Sequence, residues 1–207
     1  MLSREIHLVR RPEGELKPDD FKLVEREVVE PGDGQILAKL QKGETLFVST
    51  AGSEEKAAWL RDDLKLDAVI NYKTAPINKA LRAAAPKGLE VYFDNVGGDH
   101  LDAALAVMNR GGRVAVCGMV SGYNEPGART VVRNLSNIIY GGITIRGFSG
   151  PEYAHLQDEF ASRMGEWLKY GKIKYRETVL DGIANAPAAM IGLMHGENIG
   201  KMLVKLA

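Results

Sequence analysis

The sequence predicts an α/β fold built on a shortened, doubly wound parallel sheet. From Gly43 onward, short apolar segments alternate with helical ones, a pattern typical of crossover units on a parallel sheet. The segments VYFDN and RVAVCG are apolar almost throughout, which predicts central strands covered on both faces. Residues 1–40 differ, because their β-branched and aliphatic runs are broken by Pro and Gly and predict short strands and turns.

The same patterns place each element in order. Before residue 43 we expect strands at 5–10, 21–30 and 35–40. Strands at 46–49, 68–71, 90–95 and 113–118 then alternate with helices at 53–64, 77–85 and 100–109. After a loop at 119–128 we expect helices at 131–140, 153–170 and 184–193, with strands at 143–148, 175–180 and 201–206. The chain therefore divides into residues 1–42 and 43–207.

Composition narrows the classes of function. The 207 residues carry 27 basic and 27 acidic side chains, so no long-range field attracts nucleic acid or an anionic membrane face. No apolar run reaches the roughly 20 residues that cross a bilayer. The single cysteine, Cys117, excludes an internal disulfide and a Cys-based zinc site, and favours a reducing compartment. We expect a cytoplasmic protein with a small-molecule ligand and no metal, since no His lies near a second ligand at metal spacing.

The loop after the strand at 46–49 is the first candidate site, because ligands of open α/β sheets sit beyond the carboxyl ends of the strands. Ser53 is a natural helix N-cap, and that role alone explains the residue. No acidic residue ends the strand, where an NAD site would hold the ribose hydroxyls; Gly52, Ser53 and Lys56 are found instead. This favours a 2′-phosphate, hence NADPH, although most lysines in a first helical turn are only solvated surface residues.

Three further loops follow strands and extend the same edge. Tyr72 and Lys73 add a hydroxyl and a second cation after the strand at 68–71. The loop at 95–98 ends in two glycines that allow close backbone approach to a ligand, or merely form a turn. The loop at 117–124 has the length and small residues of a segment wrapped along a cofactor, and Tyr123 is its only evident proton donor.

Six ordered segments carry a resemblance to a known family: GSEEK, VINYK, YFDNVGG, RVAVCGMVSGYN, IRGF and ENIGKMLVKL. They resemble successive segments of zinc-independent medium-chain NADPH-dependent reductases of the 2-alkenal, prostaglandin (leukotriene B4 dehydrogenase-like) and curcumin reductase type. The resemblance implies a Rossmann-like domain at 43–207, with a C-terminal helix and strand that return to the catalytic side. It also makes residues 1–42 a remnant of a GroES-like catalytic domain.

The resemblance also implies a role for individual residues. Lys56 and Tyr72 would contact the adenosine 2′-phosphate, while Phe148 and Asn198 would border the nicotinamide. Tyr123 would face the substrate, an α,β-unsaturated ketone or aldehyde whose C=C bond is reduced by hydride transfer. The side of the cofactor near the nicotinamide ribose would be lined by Asn95, Cys117, Gly118, Ser121 and Tyr123.

One departure from the family weakens this expectation. The family leads us to expect a Gly-rich turn, its helix and a second strand between Ser49 and Thr50, and most of the catalytic domain between Leu40 and Gly43; both are absent. The strand at 44–50 either replaces the missing second strand and leaves a gap in the sheet, or moves into the position of the first strand. We favour the move into the first position, because a gap exposes unpaired backbone groups.

Two consequences follow for function. Glu54 and Glu55 at the next helix N-terminus would oppose a pyrophosphate, so NADPH affinity should be weakened, and a catalytically inactive remnant is the alternative to a reductase. A methyltransferase-like class would need a Gly-rich loop and an acidic strand end, neither of which is present. The incomplete N-terminal β segment favours packing on the remaining sheet or on a second copy, that is, a homodimer.

Overall fold

The computed structural model describes residues 2–8, 17–18, 21–27, 46–123 and 131–206. The chain divides into two compact units, one formed by Met1–Gln41 with Ile173–Ala207 and the other by Lys42–Lys172. The predicted strand at 35–40 lies outside the described residues. Among the described residues, no helix is long and apolar enough to cross a bilayer.

The first unit holds two separate strand pairs. Strands β1 (Leu2–Leu8) and β2 (Phe21–Glu27) pair antiparallel, with Leu2 opposite Glu27. Strands β8 (Glu177–Asp181) and β9 (Lys201–Lys205) pair parallel and are joined through α6 (Ala186–His195). Helix α6 ends because Gly196 takes the left-handed conformation that glycine tolerates best. These strands confirm the β character predicted near both ends of the chain.

The second unit holds the alternating strands and helices that the sequence predicts. Its strands are β3 (Val48–Ala51), β4 (Ala68–Asn71), β5 (Leu89–Asp94), β6 (Met108–Val116) and β7 (Thr144–Gly147). Its helices are α1 (Glu54–Ala58, continued in π geometry over Trp59–Asp63), α2 (Ile77–Ala84), α3 (Gly98–Leu105), α4 (Ser136–Gly141) and α5 (Gln157–Lys169). Boundaries differ from prediction where 3₁₀ turns at 133–135 and 150–156 take the first turns of predicted helices. They also differ at β6, which begins at Met108, inside the helix predicted over 100–109.

The strands of this unit form two ladders and not one sheet. β3 pairs parallel with β4, and β5, β6 and β7 pair parallel in that order; no backbone ladder joins these two sets of described strands. The expectation that β3 would move into a central position and close the sheet is therefore wrong. β3 stays on β4 because Ala51 is buried with Ala57 and Leu60 of the following helix, and its carbonyl accepts the Tyr72 N–H.

Helices α2 and α3 hold the two ladders on one apolar cluster. Ile70 of β4, Leu81 of α2 and Ala104 of α3 are buried together, and Val48 of β3 and Leu89 of β5 pack against them. A second cluster lies between α3, α4 and the strands β6 and β7, and its buried members are Leu105, Val114 and Ile143. One face of the β5–β6–β7 ladder is thus covered.

The opposite face of that ladder is open. Val91 and Phe93 of β5 are 58% and 52% exposed, although their segment is as apolar as a fully covered strand. The prediction that VYFDN would be a central strand covered on both faces is therefore wrong. The prediction that RVAVCG would be central is confirmed, because β6 lies between β5 and β7. β5 is also an edge strand, because no described strand pairs with its other side.

Candidate functional site

The first two loops meet at the carboxyl edge of the β3–β4 ladder. A Cβ atom at Gly52 would lie 2.7 Å from the Tyr72 hydroxyl oxygen and 3.6 Å from Cε of Lys73. A side chain at position 52 would push the Tyr72 hydroxyl aside, since contacts below 3.0 Å force a neighbour to move, so glycine lets the two loops meet at this distance. Gly52, Tyr72 and Lys73, predicted from separate loops, therefore form one cluster.

Lys56 joins this cluster electrostatically. Burial lowers the pKa of Lys56, the nearby Lys73 ammonium lowers it further, and Glu55 acts in the opposite direction. Two nearby ammonium groups repel each other, and an anion bound between them offsets this repulsion energy. This pairing is the electrostatic feature expected where a phosphate monoester binds.

The N-terminus of α1 has a purely structural explanation. The Ser53 side chain accepts a hydrogen bond from the Lys56 N–H at 3.3 Å, so the cap is satisfied internally. Glu54 lies in the first turn and pairs with Arg61 at 3.4 Å. Because β3 runs directly into this capped and acidic turn, these residues fit a pyrophosphate poorly.

Asp94 at the end of β5 organises the third loop. Its side chain is fully buried, and Oδ1 accepts hydrogen bonds from Val96 N–H at 2.9 Å, Gly97 N–H at 2.8 Å and the Tyr92 hydroxyl at 3.0 Å. Burial and the negative charge of Asp94 both raise the pKa of Tyr92, so the phenol keeps its proton. A residue with φ of +69° is needed at Gly97 to start α3 from this turn.

The fourth loop lies along the third. The Cys117 N–H donates to the Asp94 carbonyl at 2.8 Å, and the Ser121 hydroxyl donates to the Val96 carbonyl at 2.6 Å. A Cβ at Gly118 would lie 3.2 Å from the Asn95 carbonyl oxygen, which makes glycine the best fit there. The predicted residues Asn95, Cys117, Gly118 and Ser121 are therefore brought together in one strip.

Aromatic rings continue this strip after β7. The Phe148 ring lies 5.8 Å from that of Phe93 and 6.0 Å from that of Tyr153, measured between centroids. Tyr123, the predicted proton donor, ends a 3₁₀ turn at Val120–Gly122 and is 60% exposed. Phe148 thus borders the strip, and the Tyr123 side chain is accessible to a ligand.

Asn198 belongs to a different unit from the other predicted residues. It belongs to the unit that contains Ile173–Ala207, whereas Phe148 belongs to the unit Lys42–Lys172. Its side-chain amide donates to the Gly200 carbonyl at 2.6 Å, which shapes the turn before β9.

Sequence reasoning missed the polar pair Asp94 and His100. Asp94 Oδ2 and His100 Nε2 are buried and have no hydrogen-bond partner. The His100 ring packs edge-on against Tyr72 at 4.9 Å, so α3 touches the cluster at the other ladder. The signal for Asp94 was present, since an Asp followed by Asn-x-Gly-Gly is typical of a side chain that accepts from the next turn; no pattern signals His100.

The described residues contain no group of three or more His, Cys, Asp or Glu side chains that could hold a metal ion. The strip of residues at 95–98 and 117–123 and the cationic cluster at 52–73 are instead made of backbone amides, hydroxyls, ammonium groups and aromatic rings. Such groups suit a phosphorylated organic ligand.

Parallel strands, crossover helices and polar loops at the carboxyl edges are the features of a Rossmann-like α/β fold. The sequence profile of the zinc-binding dehydrogenase family matches residues 36–169, so the chain belongs to that family. Among its relatives, bovine prostaglandin reductase 1 is 40% identical over 76% of this chain and 48% of its own length. The NADPH-dependent curcumin reductase of Escherichia coli is 36% identical over 77% of this chain and 48% of its own length.

A solved structure gives the same assignment. CurA from Vibrio vulnificus in complex with NADPH is 37% identical, with a TM-score of 0.72 over 77% of this chain and 49% of that chain. The family resemblance and the α/β fold predicted from sequence are thereby confirmed. The chain spans about half the length of the curated relatives it matches.

Proposed function

We propose that the chain is an NADPH-dependent oxidoreductase that reduces the C=C bond of α,β-unsaturated ketones and aldehydes. The observation that carries the proposal is the cluster of Gly52, Lys56, Tyr72 and Lys73, where two cations and a hydroxyl meet at a strand edge. Relatives named as NADPH-dependent curcumin reductase and as NADP-dependent 2-alkenal reductase support the cofactor and the reaction.

Each predicted residue has a proposed role in this site. Lys56 and Tyr72 bind the 2′-phosphate beside Gly52 and Ser53, where the donor set fits a phosphate monoester. Phe148 and Asn198 border the nicotinamide. The ribose next to the nicotinamide lies along Asn95, Cys117, Gly118, Ser121 and Tyr123.

Bound NADPH would supply the hydride. The protein residues would then orient the alkene, exclude water with the Phe93 and Phe148 rings, and donate a hydrogen bond from the Tyr123 hydroxyl to the developing enolate oxygen. This chemistry requires no metal, so zinc independence is part of the proposal. A cytoplasmic location, supported by the single Cys117, and a homodimer are further parts of it.

Fluorescence titration of the purified chain with NADPH and NADH tests the cofactor site. We expect NADPH to bind more tightly, and Lys56→Ala to weaken NADPH by roughly tenfold while it changes NADH little, because a charge-assisted contact to the phosphate is lost. Lys79→Ala in α2 is the matched control. Equal binding of both nucleotides, or a Lys56→Ala variant that binds NADPH as the parent does, would refute the assignment.

A specific observation favours a second function, that of a non-catalytic family member with weak or absent nucleotide binding. The two ladders are not joined, and the acidic turn at Glu54 stands where a pyrophosphate would need backbone N–H groups. Oxidation of NADPH in the presence of an enone separates the two candidates. Enone-dependent turnover that Tyr123→Phe slows would exclude the non-catalytic function, whereas no saturable NADPH binding up to millimolar concentration would establish it.

A further inference from the structure

The open face of the β5–β6–β7 ladder carries a regular grid of side chains. The register pairs Val91 with Arg113 and Arg113 with Thr144, which forms one row. The next row pairs Phe93 with Ala115 and Ala115 with Arg146. Since partners in a ladder share a face, all six side chains project to the side that α3 and α4 leave uncovered.

Two cations lie diagonally in this grid. With strands about 4.8 Å apart and about 3.3 Å of rise per residue, the Cα atoms of Arg113 and Arg146 are roughly 8 Å apart. Within the described part of the chain, neither guanidinium has a hydrogen bond or an ion pair. Both side chains are long enough to reach one acid group placed between them, and guanidinium groups match carboxylates in shape.

An apolar wall stands beside these cations. A groove of about 410 Å³ runs over the grid and is lined by Val91, Ala115, Phe148 and Tyr153 as well as by the two arginines. This volume falls in the range of about 300–1,000 Å³ typical of small-ligand sites. The groove therefore combines two arginine side chains with aromatic and aliphatic surface at one end.

From this geometry we propose that the open face binds an amphipathic carboxylate, with its acid group between Arg113 and Arg146 and its apolar body against Val91, Ala115 and Phe148. Arg113 lies on the middle strand of the face and Arg146 lies diagonally beside it on β7, where a covering helix or a second copy of the chain would need apolar contacts. Burying two unpaired guanidinium groups under such a surface would cost several kcal/mol for each ion. A ligand that brings its own carboxylate avoids that cost.

Titration calorimetry with 2-naphthoate tests the site, with neutral 2-naphthamide as the probe that lacks the charge. We expect 2-naphthoate to bind more tightly than the amide. Arg113→Gln and Arg146→Gln should each weaken it roughly threefold to tenfold, and the double variant should bind acid and amide equally. Thr144→Glu, which puts a carboxylate beside Arg113, should abolish the preference for the acid.

Two control variants test whether binding is specific to the open face. Arg82 is an exposed arginine on α2, and Arg82→Gln should leave 2-naphthoate binding unchanged. Lys56→Ala, in helix α1 after the other ladder, should also leave it unchanged. Circular dichroism checks that each variant is folded. Equal affinity for acid and amide in the parent, or parent-like affinity in the double variant, overturns the proposal. Sedimentation that shows a dimer in the parent and a monomer in the double variant also overturns it, because the face would then be occupied by a second copy.

Discussion

At the scale of single residues, Asp94 makes the contacts that shape the proposed ribose strip. Its buried carboxylate accepts from two successive backbone amides and from the Tyr92 hydroxyl, while the Asp94 carbonyl accepts from Cys117. Asp94→Ala should lower the free energy of unfolding by about 2–4 kcal/mol, because one buried and two half-buried donors lose their acceptor. Urea denaturation measures this change. Asp99→Ala, at an exposed position in the next helix, is the control, and an equally small effect of both substitutions would contradict this role.

His100 gives the protein a defined pH dependence. Burial lowers the pKa of His100 below its ordinary 6.5, although Asp94 and Asp99 act in the opposite direction. The unfolded chain therefore binds more protons than the folded chain just below pH 6.5, and stability is lost as the pH falls through this window.

His100→Phe removes that titration and keeps an aromatic ring against Tyr72. The loss of stability between pH 7.5 and pH 5 should be smaller in the variant than in the parent, as measured by urea denaturation at each pH. His155→Gln, at an exposed histidine, controls for the loss of an imidazole in general. Parallel stability curves for the parent and His100→Phe would show that His100 does not titrate in this window.

At the scale of elements, one buried carboxylate fixes the segment before β7 onto α3. Asp102 is 2% exposed; its Oδ1 accepts the Asn134 N–H at 2.8 Å, and its carbonyl accepts from the Asn134 amide at 3.2 Å. Asp102→Ala should cost about 1–3 kcal/mol, since the Asn134 N–H is left without its acceptor. Hydrogen exchange should accelerate in Ser136–Gly141 more than in α2. If exchange rises equally in the two helices, Asp102 stabilises the whole unit and does not specifically hold the segment before β7 on α3.

The elements show which parts of the fold sequence patterns can predict. Strand β4 and helix α2 were placed within a residue, because each is a short apolar or amphipathic run bounded by polar or Pro residues. The single long helix predicted over 153–170 was wrong at its start, since Ser149 and Glu152 form a capping box that begins a 3₁₀ segment. The openness of β5 was not predictable, because an apolar strand has the same composition whether or not a neighbour covers it.

Sequence patterns predicted which loops of the site meet, but not the neighbours that depend on strand register. Loops at carboxyl ends of parallel strands must share an edge, which is why Gly52, Tyr72 and Lys73 were expected together and lie together. The diagonal approach of Arg113 and Arg146 depends on the register between β6 and β7, in which partners such as Arg113 and Thr144 are 31 residues apart along the chain, and sequence spacing does not encode register.

At the scale of the whole molecule, the two ladders share one apolar cluster but no backbone pairing. The family profile matches residues 36–169, a range that includes β3 to α5, while β8 and β9 lie outside it. Each ladder keeps the loops that would hold one end of a dinucleotide. At the junction between them, the sequence lacks the glycine-rich turn, helix and second strand that the family resemblance leads us to expect and that would hold its middle.

Restoring that junction should restore affinity. A chain that carries a glycine-rich turn, a helix and a second strand between Ser49 and Thr50, as the family resemblance implies, should let the strand that ends at Ser49 pair with the open edge of β5 and present backbone N–H groups to the pyrophosphate. We expect NADPH to bind roughly tenfold to a hundredfold more tightly, the gain of one or two charge-assisted hydrogen bonds, together with slower hydrogen exchange in Leu89–Asp94. The control is the same insertion with valines in place of its turn glycines, which keeps the length but blocks the approach of the phosphates. If both insertions raise the affinity equally, the gain comes from covering β5 alone; if neither does, the break between the ladders is not what limits nucleotide binding.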